Sequence, residues 1–389
     1  MFHFNTLPPL SLYLHFPWCV RKCPYCDFNS HELKGAIPEA AYVEALLNDL
    51  EEELPRVWGR KVITVFIGGG TPSLLSPEAL DRLLAGIRAR IALSPEAEIT
   101  LEANPGTAEQ QRFAEFRAAG INRLSIGVQS FNDEQLRRLG RIHGRREAIH
   151  AAEMAHRAGF DNFNLDLMFA LPEQTLAQAR EDVATAIALE PTHLSYYQLT
   201  LEPNTVFHHQ PPPLPGDELM WAIHQQGQQQ LAAAGYHQYE VSAYARQGWQ
   251  CRHNLNYWQF GDYLGIGAGA HGKITEPQRQ RYLRRWKVRH PHEYLAAAGA
   301  HRLAGQSEPD AAEALFEFML NALRLAEGFP ESLLSEHAGM PLTVAEQPLR
   351  RAQATGLIEW QAGQIRPTAL GYNHLNTLLE LFLPDNATN

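Results

Sequence analysis

The chain has few cysteines and lacks long apolar runs, and these two features limit the classes of protein to which it can belong. It contains four cysteines in 389 residues, and three of them lie close together at Cys19, Cys23 and Cys26. An uneven group of three thiols argues against a disulfide framework. The first residues, Met1 to Thr6, show no basic segment or apolar stretch typical of a secretory signal. No run reaches the roughly 18 apolar residues of a membrane span. We therefore expect a cytoplasmic protein whose thiols stay reduced.

The sequence also lacks an excess of positive charge. Its 33 Lys and Arg against 43 Asp and Glu give a net charge of −10. Nucleic-acid binding draws its affinity from counterion release at a basic surface, so we expect no nucleic-acid partner. A radical enzyme that modifies tRNA is disfavoured for the same reason. The basic groups Arg137–Arg138, Arg145–Arg146 and 279–289 are interpreted as solvated surface.

Short β-like runs alternate with longer helical stretches along the first half of the chain. Gly120 and Gly159 follow two of these stretches, at the position of helix C-caps. Repeated β–α units predict a parallel sheet, and six of them indicate an α/β fold with a partial (β/α)6 barrel. The predicted strands are Leu12–Phe16, Val62–Ile67, Glu98–Glu102, Arg123–Val128, Phe163–Leu167 and His193–Gln198. The predicted helices are Glu39–Leu54, Pro77–Ala92, Ala108–Ala119, Arg146–Ala158 and Leu176–Leu189.

The three clustered cysteines follow the first predicted strand with the spacing Cys-x3-Cys-x2-Cys. That spacing can place three thiolates on one face of an iron–sulfur cube and leave the fourth iron open to a small molecule. The alternative is a structural zinc site in which His15 or His31 completes a Cys3His set. Such sites usually combine two paired ligand clusters, and the sequence shows no second pair.

Polar and glycine residues stand where several predicted strands end. The second strand leads into Gly68-Gly69-Gly70-Thr71-Pro72, and the next three end at or near Glu102, Gln129 and Asp166. In barrels of this kind, functional groups gather at the carboxyl ends of the strands. Glycines allow a ligand to approach the backbone, and carboxylates accept hydrogen bonds from ribose hydroxyls. Each motif alone is also compatible with a tight turn or a helix cap.

With Tyr25 directly before the third cysteine, the loop resembles that of radical S-adenosylmethionine (SAM) proteins. The chain over about residues 10–275 resembles their subgroup related to the oxygen-independent coproporphyrinogen III oxidase. This resemblance implies a [4Fe–4S] cluster on Cys19, Cys23 and Cys26, whose open iron is chelated by the amino and carboxylate groups of SAM. Thr200 and the segment Gly265–His271 match weakly, as backbone contacts near the adenine. The implied SAM-binding residues are Tyr13, Tyr25, Gly69, Gly70, Thr71, Glu102, Gln129, Arg141 and Asp166.

Two departures separate the chain from the true oxidase. Phe28 stands where the oxidase has a further cysteine, and only 18 residues precede Cys19, without the oxidase's long N-terminal extension. The run His253-Asn-Leu-Asn-Tyr-Trp258 resembles the signature of HemW-type haem chaperones, which pass haem to membrane haemoproteins such as respiratory enzymes. The resemblance implies a haem chaperone with His253 at the haem site, whereas Cys251 is expected to be a small buried residue. Coproporphyrinogen oxidation is the alternative.

The rest of the chain is predicted to form a separate unit. Residues 1–275 are assigned to the barrel, 276–312 to a connector over it, and 313–389 to a mostly helical, winged-helix-like domain. The hairpin of that domain is predicted over Gly356–Pro367 with its turn at Ala362–Gly363, followed by a last helix, Thr368–Leu383. Packing or partner docking is favoured over DNA reading. A homodimer and membrane contact through an acceptor are further expectations.

Overall fold

The computed structural model describes residues 2–106 and 112–384. The start of the predicted helix Ala108–Ala119 therefore lies outside the described residues, and the remainder forms the helix Phe113–Ala119. The strands are β1 Leu10–Phe16, β2 Trp18–Cys19, β3 His31–Glu32, β4 Val62–Gly69, β5 Leu93–Ala103, β6 Arg123–Gln129, β7 Phe163–Phe169, β8 His193–Gln198, β9 His237–Glu240, β10 Ala243–Ala245, β11 Asp262–Ile266, β12 His271–Glu276, β13 Arg281–Lys287, β14 Leu303–Ser307, β15 Phe329–Pro330, β16 Ile358–Gln361 and β17 Gln364–Pro367.

Most of the described helices pack on the outside of the main sheet or belong to the C-terminal part, whereas the helix Arg252–Trp258 borders its interior. The α-helices are Glu39–Glu53, Pro77–Arg90, Phe113–Ala119, Asp133–Arg138, Arg145–Arg157, Leu176–Ala188, Val206–His209, Asp217–Ala233, Arg252–Trp258, Pro291–Ala296, Ala311–Ala322, Ser332–Ala338, Glu346–Ala354, Ala369–Asn373 and Leu375–Glu380. The 3-10 helices are Leu54–Arg56, Pro72–Leu74, Pro277–Arg279, Gly299–Arg302 and Leu342–Val344. Within residues 2–106 and 112–384, no helix combines the length and the apolar character that crossing a membrane requires.

The described strands of the main sheet follow the order β14-β13-β12-β11-β1-β4-β5-β6-β7-β8-β10-β9. The strands from β11 to β8 in this order are parallel, and those at both ends are antiparallel. The α/β prediction is confirmed, with all six predicted strands in place. The sequence reasoning missed β11, which pairs with β1 on the side opposite β4.

Side chains alternate along the parallel strands between an apolar outer face and a polar inner face of the sheet. In β1, Leu12 and Leu14 belong to the core beneath the helices, whereas Ser11 bonds across the inside of the sheet to Thr64 of β4. The pattern repeats in β6, where Leu124 lies in the core. Because successive side chains point to opposite faces, the concave side of the sheet carries the polar residues. The fold thus leaves an interior suited to a polar ligand rather than a filled apolar barrel.

Residues 276–312 extend the main sheet, although the sequence analysis assigned them to a connector. β12 and β13 pair in register from His271 with Trp286 to Glu276 with Arg281, so the expected boundary after 275 falls inside a β-hairpin. β13 was not predicted because four of its seven residues are cations, which form ion pairs with carboxylates of other elements. Lys287 Nζ lies 2.5 Å from Asp49 Oδ1 and 2.7 Å from Glu53 Oε1 of the helix Glu39–Glu53.

The C-terminal part has a core of its own and a small antiparallel sheet, ordered β15-β17-β16. The predicted hairpin is confirmed: Gln361 pairs with Gln364, and Ala362 and Gly363 both have positive φ, as a two-residue turn requires. The predicted last helix is wrong in one respect. It is interrupted at His374, which has φ −119° and ψ 45° and separates two short helices.

We predict that Lys287→Ala destabilises the protein by about 3–5 kcal/mol, because Asp49 would remain buried without a cation and Glu53 would keep only its pairs with Arg285 and Arg56. Lys287 is only 3% exposed. The measurement is urea-induced unfolding at pH 7. Arg350→Ala is the matched control, since Arg350 pairs with Glu346 on the surface and its loss should matter little. Equal unfolding midpoints for the two variants would contradict the structural role given to Lys287.

Candidate functional site

The concave side of the sheet holds a cavity of about 600 Å³ at the carboxyl ends of the parallel strands. The residues assigned above to the cluster, to the main SAM contacts and to haem all line it. Of the weaker matches, Thr200 lies at a separate groove beside the helix Asp217–Ala233, and the segment Gly265–His271 does not line this cavity. The lining residues predicted from sequence are Tyr13, Cys19, Cys23, Tyr25, Cys26, Gly69, Gly70, Thr71, Glu102, Gln129, Arg141, Asp166 and His253.

The cysteine loop is fixed by backbone contacts with the end of β4. Gly70 N donates to Phe16 O at 2.6 Å, and Thr71 N donates to Trp18 O at 2.7 Å. A Cβ at position 70 would lie 2.4 Å from Trp18 O, so this approach requires glycine. The local sequence therefore brings the first cysteine, Cys19, against the glycine segment that ends β4.

The three thiols are partly or fully shielded from solvent in this loop. Burial raises the pKa of Cys19 and of Cys26. Arg141 Nη1 donates to Cys23 Sγ at 3.6 Å, so a buried cation stands beside a candidate thiolate. Metal binding requires deprotonated thiols, and the guanidinium of Arg141 is placed to pair with the negative charge of a bound cluster.

The zinc alternative receives no support from the histidines near the loop. His15 uses both ring nitrogens, Nδ1 with Tyr13 OH and Nε2 with Asn29 O, each at 2.9 Å. His31 Nε2 lies 3.3 Å from Asn29 Oδ1. In the described part of the chain, no three side chains of His, Cys, Asp or Glu form a set that would hold a single metal ion.

Two buried carboxyl groups stand at the ends of neighbouring strands in this cavity. Glu102 Oε2 accepts a hydrogen bond from Gly69 N at 3.0 Å, and burial raises the pKa of Glu102 to about 7. Asp166 accepts from Asn164 Nδ2 at 2.8 Å and from Ser125 Oγ at 3.3 Å, and burial raises its pKa as well. Glu102 Oε1 accepts no hydrogen bond from the described residues and is available to a ligand hydroxyl, whereas both oxygens of Asp166 already accept a hydrogen bond from the protein.

Arg141 connects the cysteine loop to the far side of the cavity. Its Nη2 donates to Asn104 Oδ1 at 2.6 Å and to Gly127 O at 2.7 Å, while its buried Nε has no partner among the described residues. Asn104 Nδ2 in turn donates to Thr71 Oγ1 at 2.9 Å. This chain of contacts uses three of the five N–H donors of the guanidinium and leaves two for a ligand carboxylate.

Several residues of the cavity were not predicted from the sequence. Asn104 links Thr71 to Arg141, and Tyr197 donates its hydroxyl to Gln129 Oε1 at 2.8 Å. Asn104 lies two positions after Glu102, so the strand-end argument could have included it. Tyr197 gave no such signal, because an aromatic residue in a predicted strand is more often part of the core.

Comparison with known proteins identifies the family. The profile described as "Radical SAM superfamily" matches residues 13–186, and the one described as "HemN C-terminal domain" matches residues 310–373. A "Heme chaperone HemW" of Escherichia coli is 54% identical over 97% of this chain and 99% of its own length. Its namesake in Haemophilus influenzae is 49% identical over 97% of this chain and 99% of its own length. The chain belongs to the HemW family of haem chaperones.

Solved structures agree on the fold. The coproporphyrinogen III oxidase HemN of Escherichia coli, described as a radical SAM enzyme, superposes with a TM-score of 0.81 and 23% identity over 97% of this chain and 90% of its own. At this identity the likeness concerns the fold alone. A "Heme chaperone HemW" of Bacillus subtilis extends the family to 35% identity over 85% of this chain and 88% of its own length.

In this HemW family member, His253 is fully enclosed by its neighbours. Its Nδ1 pairs with Thr64 Oγ1 at 2.8 Å, its Nε2 with Tyr257 OH at 3.0 Å, and its ring stacks on Phe66 at 5.0 Å between centroids. Burial lowers its pKa to about 3, so the ring stays neutral. Cys251, two positions earlier, is fully buried with its Sγ 3.6 Å from Glu98 Oε1.

A second cavity, of about 570 Å³, adjoins the first. Both cavities are lined by Tyr13, Phe28, Gly69, Glu102, Tyr257 and Trp258. On the side away from the first cavity, the second is bounded by β11 to β13. It includes Gly269 and His271 from the segment that matched weakly in the sequence. The motif His253–Trp258 therefore forms part of the wall between two adjoining spaces.

Glu102→Gln should change how stability depends on pH. The pKa of Glu102 is raised from 4.5 to about 7, mainly by burial. The folded protein therefore retains a proton that the unfolded chain loses, and stability falls as pH rises from about 4.5 to 7. Between these two pH values, the parent loses about 3 kcal/mol of its free energy of unfolding through this group. The variant, measured without SAM by urea unfolding, should gain stability over the parent at pH 8 and little at pH 4.5.

Asp81→Asn, at an exposed position of the helix Pro77–Arg90, is the control for a lost carboxylate. Parent, Glu102→Gln and Asp81→Asn are compared in the same cofactor state. If Glu102→Gln shows the same pH dependence as the parent, the carboxyl is ionised throughout and the account of its burial is wrong.

Proposed function

We propose that this protein is a haem chaperone that carries a [4Fe–4S] cluster, binds SAM beside it, and delivers haem to acceptor haemoproteins. The main support is the 54% identity with the "Heme chaperone HemW" of Escherichia coli over nearly the full length of both chains. Such identity extends across the barrel and the C-terminal part, so it does not rest on the cysteine motif alone.

The cluster is proposed to be held by Cys19, Cys23 and Cys26. All three line the cavity, and their spacing supplies three thiolates for an iron–sulfur cube. A reduced cluster of this type can supply one electron to a ligand at its open iron. Arg141 beside Cys23 offsets the negative charge of the thiolates, and its guanidinium keeps N–H donors for a further anionic group.

SAM is proposed to occupy the cavity between the cysteine loop and the strand ends. Gly69 and Gly70 present no side chain to this cavity, and Arg141 suits the carboxylate of the methionine part. Glu102 and Asp166 are hydrogen-bond acceptors for the ribose hydroxyls. The remaining proposed contacts are Tyr13, Tyr25, Thr71 and Gln129.

The alternative is oxidative decarboxylation of coproporphyrinogen III. This alternative is supported by the fold of the coproporphyrinogen III oxidase HemN, which extends over 97% of this chain. Against it stands Phe28, which occupies the place of the oxidase's additional cysteine and is 60% exposed at the junction of the two cavities. An exposed phenylalanine offers apolar contact to a macrocycle but no thiol chemistry.

The proposed partners follow from haem delivery. The acceptors are membrane-bound respiratory haemoproteins, reached from the cytoplasm through contact with the acceptor itself. His253 is included in the haem site through the wall that it forms with Tyr257. A homodimer is also part of this proposal.

The proposal predicts haem binding without turnover of the porphyrinogen. Anaerobically reconstituted protein is titrated with haem and followed by its Soret band. The same preparation is incubated with SAM, a reductant and coproporphyrinogen III, followed by porphyrin analysis. We expect saturable haem binding at one site and no protoporphyrinogen. Product formed over many turnovers, or the absence of haem binding, would contradict the proposal.

Two cysteine variants control for the state of the cluster in this experiment. Cys23→Ser removes one proposed cluster ligand, whereas Cys251→Ser changes a buried cysteine outside the loop. We expect iron and sulfide to be lost in the first and kept in the second. The absence of turnover is interpreted only for a preparation that contains as much iron and sulfide per chain as Cys251→Ser.

A further inference from the structure

The second cavity carries features that the proposed SAM site does not use. Its walls include Phe28 from the cysteine loop and Tyr257, Trp258 and Tyr263 from the opposite side. Aromatic walls of this kind suit a flat ligand with a large apolar surface. A ligand of that shape could enter from solvent, since the side of the cavity at Phe28 is exposed.

The histidines of the two cavities differ sharply in how they are bonded. Four line these spaces, and the ring nitrogens of His15, His193 and His253 are all engaged by protein groups. The fourth, His271, makes no side-chain hydrogen bond to any residue that the structure describes, and its ring stacks on Trp286 at 6.3 Å between centroids. Only its imidazole offers a nitrogen to a metal without breaking an existing bond.

The cationic side chains of the second cavity also differ in whether they are bonded to other protein groups. Lys273 is held by Asp262 and by Phe260 O, and Arg284 is held by Glu317 and by the hydroxyl of Tyr263. The guanidinium of Arg289 lines the cavity, is exposed, and forms no hydrogen bond or ion pair within residues 2–106 and 112–384. Arg289 is therefore the cation of the second cavity that is available to a ligand carboxylate.

We infer that haem binds in the second cavity with His271 as an axial ligand of the iron and Arg289 paired with a propionate. Haem presents what these groups require: an iron that accepts an imidazole nitrogen, a flat apolar macrocycle and two carboxylates. This inference rests on the proposed function and specifies where its cargo is held. It places haem beside the proposed SAM cavity, separated by shared wall residues rather than by a layer of core.

His253 becomes a positioning residue in this arrangement. Its Nε2 is bonded to Tyr257 OH, and Tyr257 in turn packs edge-on against Tyr263 at 4.5 Å between centroids. Trp258, the last residue of the motif, is held by Arg324, whose guanidinium lies 4.2 Å from the ring centroid. The motif therefore shapes the aromatic wall, whereas iron ligation falls to His271.

The test compares His271→Ala with His253→Ala in the full-length protein, reconstituted with its cluster. Ferric and ferrous haem complexes are examined by optical and electron paramagnetic resonance spectroscopy, and haem affinity by titration. We expect His271→Ala to lose the parental axial-ligand spectrum, to bind haem at least tenfold more weakly, and to regain the spectrum with added imidazole. His253→Ala should bind more weakly but keep the parental spectrum.

Further variants separate a local effect from general damage. His150→Ala, at an exposed histidine of the helix Arg145–Arg157, should match the parent in every readout. Arg289→Ala should lower affinity without changing the spectrum, and Arg289→Lys should restore part of the loss. Iron and sulfide content confirms that each variant is folded around its cluster.

The outcomes distinguish this inference from the function on which it rests. If the parent binds no haem, the proposed function fails. If the parent binds haem, but His271→Ala keeps the parental spectrum and affinity, the inference is overturned. A spectrum changed by His253→Ala alone would assign the ligand to His253 instead.

Discussion

The close backbone contact between the ends of β1 and β4 is the constraint on which the site depends. Gly70 and Thr71 donate their amides to Phe16 and Trp18, across a distance that no side chain at position 70 would permit. This contact fixes where the chain leaves β1 and therefore where Cys19 stands. It also brings the glycine segment, and Glu102 through its bond to Gly69, to the same edge of the sheet.

Around that contact, the polar inner face of the sheet borders a cavity and is not filled by core side chains. The outward positions of the parallel strands are filled by aliphatic residues under the helices, so the stability of the barrel does not depend on filling its interior. The interior can then keep buried ionisable groups such as Glu102, Asp166 and Arg141, which is typical of a functional site. Two adjoining cavities result, one beside the cysteines and one beside β11 to β13.

Local sequence patterns were sufficient for the central strands and for the residues at their ends. Parallel strands bring their carboxyl ends to one edge, so Glu102 and Asp166 could be assigned to one site without coordinates. β13 could not be recognised in this way, because its charged residues are typical of a surface, and Lys287 is buried only through partners such as Asp49, 238 positions away. The role of His253 shows the same limit. Its motif was visible, but the bonds that occupy both of its nitrogens come from Thr64 and Tyr257.

The central claim is that this protein delivers haem, and haem transfer tests it most directly. Haem-loaded protein is mixed anaerobically with the apo form of a respiratory b-type haemoprotein, and the acceptor's Soret band is followed over time. Excess apomyoglobin in a parallel sample measures passive haem release. The account predicts that the respiratory acceptor gains haem faster than passive release allows. Transfer no faster than release into apomyoglobin would contradict it and leave only a haem-binding protein.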